Sequence, residues 1–434
     1  MSKVDWNTSS KIGVQLLFFL LLNTFLYNYH FRVGFNLYLS DLFLIVILAI
    51  TLFHWLTKSP PHFHWPFLFI FLLLFLYYLF LAFYAYSILG NSTSATLGRF
   101  KNLFVYPLLF FSGLTFTTTT SDMDKYLRYI RIHILISILF GILSLKFPSL
   151  DLTNIYIKGE VVASRYFMLV THATALLCCF IFIHELLEIS KKSQKTSRSL
   201  FFMGISALGI MGTQNRSVLI VFIFMIILVF FYSQKAGSPI KERMRIYLSC
   251  LLLLLVAVGF FLVQSPLYEK FQKRIQETTM AFSGEGEFFN TIPGVRIGRT
   301  IAAFNEWTKS PIIGCGWGNQ ITEFKIYNWE GKYIRTNYGT PHNYYITILY
   351  QTGIIGFFIM MYFFYFLYKK IKPHRQLHPQ NIMSYTFFIF YLGFMVFNIA
   401  NTHFYGDPVF IPVFFFLLGA MVSYSYQSKH EVTS

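Results

Sequence analysis

The chain predicts an all-α protein that crosses a membrane many times, and three observations carry that prediction. Charged residues make up 12% of its 434 residues, and mean hydropathy is +0.54, whereas a soluble domain carries about 25% charged residues. Apolar runs of roughly 17–25 residues, the length a helix needs to cross the hydrocarbon core, recur along the sequence. A single long stretch, from Gln264 to Pro341, is too polar to sit in a bilayer.

The apolar runs fall near 12–29, 36–56, 65–87, 101–118, 131–148, 165–188, 199–213, 217–233, 246–263, 344–368, 383–401 and 409–425, about twelve by the length criterion. Lys3 and Lys11 precede the first run, but no small-residue cleavage site follows Gly13–Tyr29. It therefore reads as a first span and not a removed signal peptide.

Alternating the spans from a cytoplasmic start places Lys125, Arg128 and Arg131, then Lys191, Lys192, Lys195 and Arg198, in inside loops. Lys235, Lys241, Arg243 and Arg245, then Lys369, Lys370, Lys372 and Arg375, fall inside as well. The short outside loops hold only Arg32, Arg99, Lys101, Lys146, Lys158, Arg165 and Arg216. This asymmetry follows the positive-inside rule and puts both termini in the cytoplasm and the long loop outside. Three parts result: an N-terminal bundle of about nine spans over 1–263, an external subdomain over 264–343, and three further spans over 344–434 that complete the bundle. The halves show no internal repeat.

The formal charge of +17 does not indicate nucleic-acid binding, because the basic residues sit in short loops beside apolar spans, where they set topology. Aromatics make up 20% of the chain; in lipid, such rings are packing and interfacial material. Of the four cysteines, Cys178, Cys179 and Cys250 lie in apolar runs and Cys315 in the long loop. None pairs with histidine at metal-ligand spacing, so neither a metal site nor a disulfide framework is expected. No cofactor is expected.

Within the long loop, 267–280 is polar with some helical character, and Ser283–Glu287 reads as a turn. Over 295–309, Ile297, Ile301, Ala302 and Phe304 recur with helical spacing, and Asn290 or Thr291 is placed to cap ahead of Pro293. Arg296 and Arg299 are three apart and share a face of that helix. Two guanidiniums on one face make a fork for phosphate or diphosphate; the plainer reading is two solvated surface arginines. The helix stops at Ser310-Pro311, and Gly314, Gly316 and Gly318 follow at alternate positions. With no Lys-Ser/Thr behind them they are no nucleotide loop, and they read as a tight turn returning the chain to the membrane.

His342 opens the tenth span, on a helical stripe with Ile346, Leu349 and Gly353. Gly353 and Gly356 suggest close approach of another helix. A histidine at this rim either orients a diphosphate and takes a proton or merely caps the helix. Arg216 stands between two spans with almost no loop, a costly position unless it snorkels or pairs. Arg99, Lys101, Asp41 and Asp407, the last near His403, fall on the same side. For Asp41 a structural salt bridge is expected.

Three patches together resemble the O-antigen ligase and polymerase family of membrane glycosyltransferases. They are Thr213-Gln214-Asn215-Arg216-Ser217 between two spans; Arg296 followed by Pro311, Gly314 and Gly316; and His342-Asn343 with Gly353 and Gly356. Roughly the second half of the chain is covered. The resemblance implies a GT-C-like fold in the bacterial inner membrane with the active site facing the periplasm. The implied donor is a glycan on undecaprenyl diphosphate, and the implied acceptor a hydroxyl of lipid A–core (ligase) or of a second lipid-linked glycan (polymerase). It further implies that Arg216 and Arg296 bind the diphosphate, and that His342 assists its departure or activates the acceptor. Arg299, Asn343, Arg99, Lys101 and Asp407 are further candidates for binding substrate. The loop carries no Asp-x-Asp, which agrees with arginines in the place of a divalent cation. A transporter of glycans or lipids is the alternative from another class, but its usual inverted repeats and midplane charges are not evident.

Overall fold

A computed structural model describes residues 6–23, 39–58, 65–146, 171–190, 196–213, 215–234, 292–319, 325–327, 333–335, 341, 343–373, 382–400 and 410–433. The helices are α1 (Trp6–Asn23), α2 (Leu39–Thr57), α3 (Trp65–Ser87), α4 (Thr93–Phe100), α5 (Leu109–Phe116), α6 (Thr120–Lys146), α7 (His172–Ser190), α8 (Thr196–Gly212) and α9 (Arg216–Gln234). After the undescribed 235–291 come α10 (Ile292–Lys309), α11 (Tyr344–Ile371), α12 (Ile382–Ala400) and α13 (Phe410–Thr433). Among the described residues, α2, α3, α6, α11, α12 and α13 are long and apolar enough to cross a membrane, and α1, α8 and α9 contain shorter apolar segments. The protein is a multi-pass helical membrane protein. The span expected at 246–263 lies outside the described residues, as do the polar stretch 267–280, the turn at Ser283–Glu287 and the caps Asn290 and Thr291.

The centre of the bundle is α13, buried at every position from Phe410 to Ser423. It lies against α5 with backbones nearly touching: a Cβ at Gly113 would collide with the Phe416 carbonyl, and one at Gly419 with the Phe110 carbonyl. Small residues permit such approach where no hydrophobic force drives helices together. Phenylalanines fill the remaining space, as in Phe394 against Phe414 at 3.8 Å between ring centres and Phe18 against Phe416 at 4.4 Å. The outer faces stay apolar, with Phe69, Leu72, Leu76 and Phe83 of α3 exposed, which suits a lipid-facing helix.

The first span begins early, at Trp6, the last runs on to Thr433, and the fourth and fifth differ most at their starts. The fourth, expected as one helix over 101–118, begins at Thr93 and changes pitch: a π turn over Lys101–Val105 and a 3₁₀ turn over Tyr106–Leu108 join α4 to α5. Pro107 has no N–H for the helical ladder, and the Tyr106 N–H reaches back five residues to the Lys101 carbonyl. The fifth, expected to start at 131, starts at Thr120 because Thr119 and Asp122 form a reciprocal cap. The Thr119 N–H donates to Asp122 Oδ2 (2.9 Å), and the Asp122 N–H donates to Thr119 Oγ1 (3.3 Å). Lys125, Arg128 and Arg131 therefore belong to α6 and not to a loop. Arg131 is buried, its Nε donating to Glu185 Oε1 of α7 at 2.8 Å.

A small antiparallel ribbon pairs Lys325–Tyr327 with Tyr333–Arg335 in the register Lys325↔Arg335, Ile326↔Ile334, Tyr327↔Tyr333. The all-α reading did not foresee it. It sits in the polar segment, where alternation over three residues is too short to register as a strand.

Candidate functional site

The site is built on α10 and the start of α11. Pro293 falls in the first turn of α10, where a missing N–H costs nothing. The face of α10 turned to α11 carries Ala303, fully buried with Tyr350 and Cys315, and flanked by Ala302 and Ile346. The apolar stripe read from the sequence is therefore only partly the packing face, since Ile301 and Phe304 are exposed. Two alanines let the helices approach more closely than isoleucine and phenylalanine would. Arg296 stands seven residues, about two turns, before Ala303, so its position falls on the α11-facing side of α10. Arg299, half-buried, stands one turn before Ala303.

Asn343 caps α11. Its backbone is extended (φ −134°, ψ 118°), and its Oδ1 accepts the Ile346 N–H at 3.0 Å. The Thr347 hydroxyl lies 2.7 Å from the Asn343 carbonyl and 3.2 Å from the Pro341 carbonyl. The backbone on either side of position 342 is thus tied to the first turn. Capping occupies one of the two acceptor sites of the Asn343 oxygen. Asn343→Ala should cost about 1 kcal/mol and speed hydrogen exchange at the Ile346 amide. Asn343→Ser, still able to cap, should retain transfer. A serine variant as inactive as the alanine one would instead assign the amide to substrate.

Further along, α11 is broken. Gly353 has φ 63° and ψ −171°, a region open essentially to glycine alone. The stripe expected to run helically from His342 to Gly353 is interrupted there. Gly353 meets the turn after α10, not another helix, because a Cβ on it would strike the Ile312 carbonyl. Gly356 does meet a second helix, through Tyr77 of α3. That tyrosine donates its hydroxyl hydrogen to the Thr352 carbonyl at 2.5 Å. The glycine-rich segment is thus more than a return turn: Gly314, Gly316 and Gly318 all have positive φ, and the segment is built into the break.

Beyond the break, Trp317 is fully buried. Its carbonyl accepts from Asn91 Nδ2 (2.8 Å) and Thr96 Oγ1 (3.2 Å), and its ring packs on Tyr78 and Phe100. This brings α4, with Arg99 in its last turn, against the segment that follows the arginine helix, a link sequence reading missed. Asn91 and Thr96 look like ordinary loop and helix-start residues until the fold pairs them with a backbone carbonyl more than two hundred positions away. Lys101, on the π turn, binds Asp41 Oδ2 at 2.9 Å, and Tyr106 donates to Asp41 Oδ1 at 2.7 Å. Asp41 forms the expected structural salt bridge, so Lys101 offers a substrate a charge already partly neutralised.

Cys315 is buried, with its Sγ 3.2 Å from the Glu306 carbonyl. Burial, then the Glu306 carboxylate, push the thiol up to about 11, against a weaker opposite pull from Lys309. Thiolate forms only as pH rises toward that value. Alkylation at pH 8 should therefore run about 100-fold slower than at an ordinary thiol with pKa near 9 and climb about tenfold per pH unit up to 11. Peptide mass spectrometry after timed iodoacetamide treatment measures this, and a plateau below pH 9 would contradict it.

Arg216 opens α9, and Asn215 caps it, its Oδ1 accepting the Ser217 N–H at 2.8 Å. The packing order α10–α11–α12–α9 connects the Arg296 helix to the Arg216 helix through two intervening helices. His342 and Asp407 lie outside the described residues, as do the side chains of Arg216 and Arg296.

Fold and site together define a multi-pass helical membrane protein in which a cation-bearing helix is clamped to the start of a spanning helix. The family model described as O-antigen ligase matches residues 201–361, a stretch from α8 into α11 that contains Arg216, Arg296, Arg299, His342 and Asn343. Over this segment, somewhat more than a third of the chain, the protein is similar to the O-antigen ligase family. No curated protein matches the chain.

Proposed function

We propose that the protein transfers a glycan from undecaprenyl diphosphate to an acceptor hydroxyl at the outer face of the bacterial inner membrane, as an O-antigen ligase acting on lipid A–core. The observation that carries this reading is the docking of α10, with Arg296 and Arg299, onto α11 just beyond His342-Asn343. The acceptor oxygen attacks the anomeric carbon of the donor. The bond from that carbon to the diphosphate oxygen breaks, and undecaprenyl diphosphate leaves with the electron pair.

Negative charge gathers on the leaving diphosphate, and preorganised guanidiniums of Arg296 and Arg216, joined by Arg299, stabilise it without a metal. His342 takes the proton of the acceptor hydroxyl or hydrogen-bonds the departing diphosphate. Arg99 and Asp407 stand as further contacts at the rim, and Lys101 as a weaker one because of Asp41.

The test supplies purified protein with undecaprenyl-diphosphate-linked glycan and, in separate reactions, lipid A–core or a second lipid-linked glycan. Consumption of lipid A–core supports the ligase. Consumption of the second donor alone makes it a polymerase, and consumption of neither removes the transfer reading in favour of a transporter.

A further inference from the structure

A helix that crosses a bilayer ordinarily satisfies its own backbone, because hydrocarbon offers no partner for an N–H or a carbonyl. At its break α11 does not. Where Gly353 leaves the ladder, Ile354 N–H donates to the Pro311 carbonyl (3.0 Å) and Ile355 N–H to the Ile312 carbonyl (3.4 Å). The Tyr350 carbonyl accepts the Cys315 N–H (2.9 Å). The inserted chain is the direct continuation of α10: Gly314 N–H reaches back to the Ser310 carbonyl at 2.8 Å, one residue past the end of that helix.

We propose that Gly314 and Gly353 are positioning residues, forming a backbone-to-backbone clamp that holds the arginine helix in one register on the helix capped by Asn343. This rests on the assignment of Arg296 and His342 to the donor diphosphate. Each glycine excludes a side chain at the other. A Cβ on Gly314 would strike the Gly353 nitrogen and come within 2.6 Å of the Gln351 carbonyl. Both residues have positive φ. Sliding α10 by one residue, about 1.5 Å, would leave these α11 backbone groups without partners. The far end of the insert is anchored independently by Asn91 and Thr96 on the Trp317 carbonyl. The Gln351 side chain, 1% exposed and with neither amide atom hydrogen-bonded among the described residues, lies two residues before the break.

The test uses the full chain in lipid nanodiscs with undecaprenyl-diphosphate-linked glycan. A displacement near 1 Å at a reacting centre costs about 100-fold, so Gly353→Ala and Gly314→Ala should each lower kcat by about that factor, with a smaller change in donor KM. The double variant should lose no more than the worse single, because both act on one contact. Full kcat in either single variant, or multiplicative losses in the double, overturns the clamp. For variants that fail to fold, spin labels attached through ketone-bearing residues at the exposed positions Phe304 and Phe358 report on the otherwise unaltered protein. One narrow interlabel distance is expected, and a broad distribution overturns the proposal. Arg296→Ala assayed in parallel separates the two ideas. An inactive Arg296→Ala beside a fully active Gly353→Ala sinks the clamp alone; a fully active Arg296→Ala sinks the diphosphate assignment beneath it.

Discussion

Arg296→Ala should lower glycan transfer about 100- to 1,000-fold, the range for removing one preorganised donor of charge stabilisation, while leaving the amount of protein in the membrane unchanged. α10 is held to α11 by Ala303, Tyr350 and Cys315 and by backbone bonds of the following segment, contacts that are made by positions other than 296. Arg296→Lys should fail nearly as badly, because an ammonium is a point charge and cannot offer two parallel N–H groups to a diphosphate. His342→Ala should cost about 100- to 10,000-fold if the imidazole moves the acceptor proton. That loss should shrink as assay pH rises and hydroxide competes for the role. Initial rates with purified lipid-linked donor measure all three variants. A lysine variant with wild-type rate would leave Arg296 as a general cation and remove the fork.

Much of this architecture was legible because bilayer physics writes long apolar runs into a sequence. The spans at 65–87 and 383–401 lie within a residue of α3 and α12, since nothing but length and hydropathy decides them. Boundaries failed where polar chemistry extends a helix. α6 gained its first turns from the Thr119–Asp122 cap, and its Arg131 was read as a loop charge because its partner Glu185 lies 54 residues away. The candidate site shows the same division. Arg296 and Arg299 on one helix face follow from local spacing, whereas capping of α11 was weighed for His342 and the cap observed is Asn343. The break at Gly353 does not follow from spacing, because its cause is a second segment, Pro311–Cys315, that replaces the missing ladder. Glycines in both segments were visible, but which backbone each one faces is a property of the folded chain. Asn91 and Thr96 were invisible for the same reason.

Glu185→Ala should destabilise the bundle by about 3–5 kcal/mol, and so should Arg131→Ala, whereas the paired replacement Arg131→Met with Glu185→Leu should be close to neutral. Glu185 is 0% exposed, and Arg131, 9% exposed, reaches it from the neighbouring α6. Removing either partner strands the other charge in a medium that solvates it poorly. Removing both leaves volume that apolar side chains can fill. The Arg131 guanidinium also lies 5.4 Å from the centre of the Phe202 ring on α8, so methionine, a flexible sulfur-bearing chain that packs well on aromatics, is the better substitute at that position. The pair joins α6 to α7, and the ring contact joins both to α8, so the loss should appear as separation of these three helices before the α5–α13 centre opens. Reversible unfolding in mixed micelles, followed by hydrogen exchange resolved by helix, gives both the magnitude and the order. Single variants within about 1 kcal/mol of the parent, at the exposed-pair level, would mean that water reaches Glu185 and that the ion pair is not part of the sealed interior.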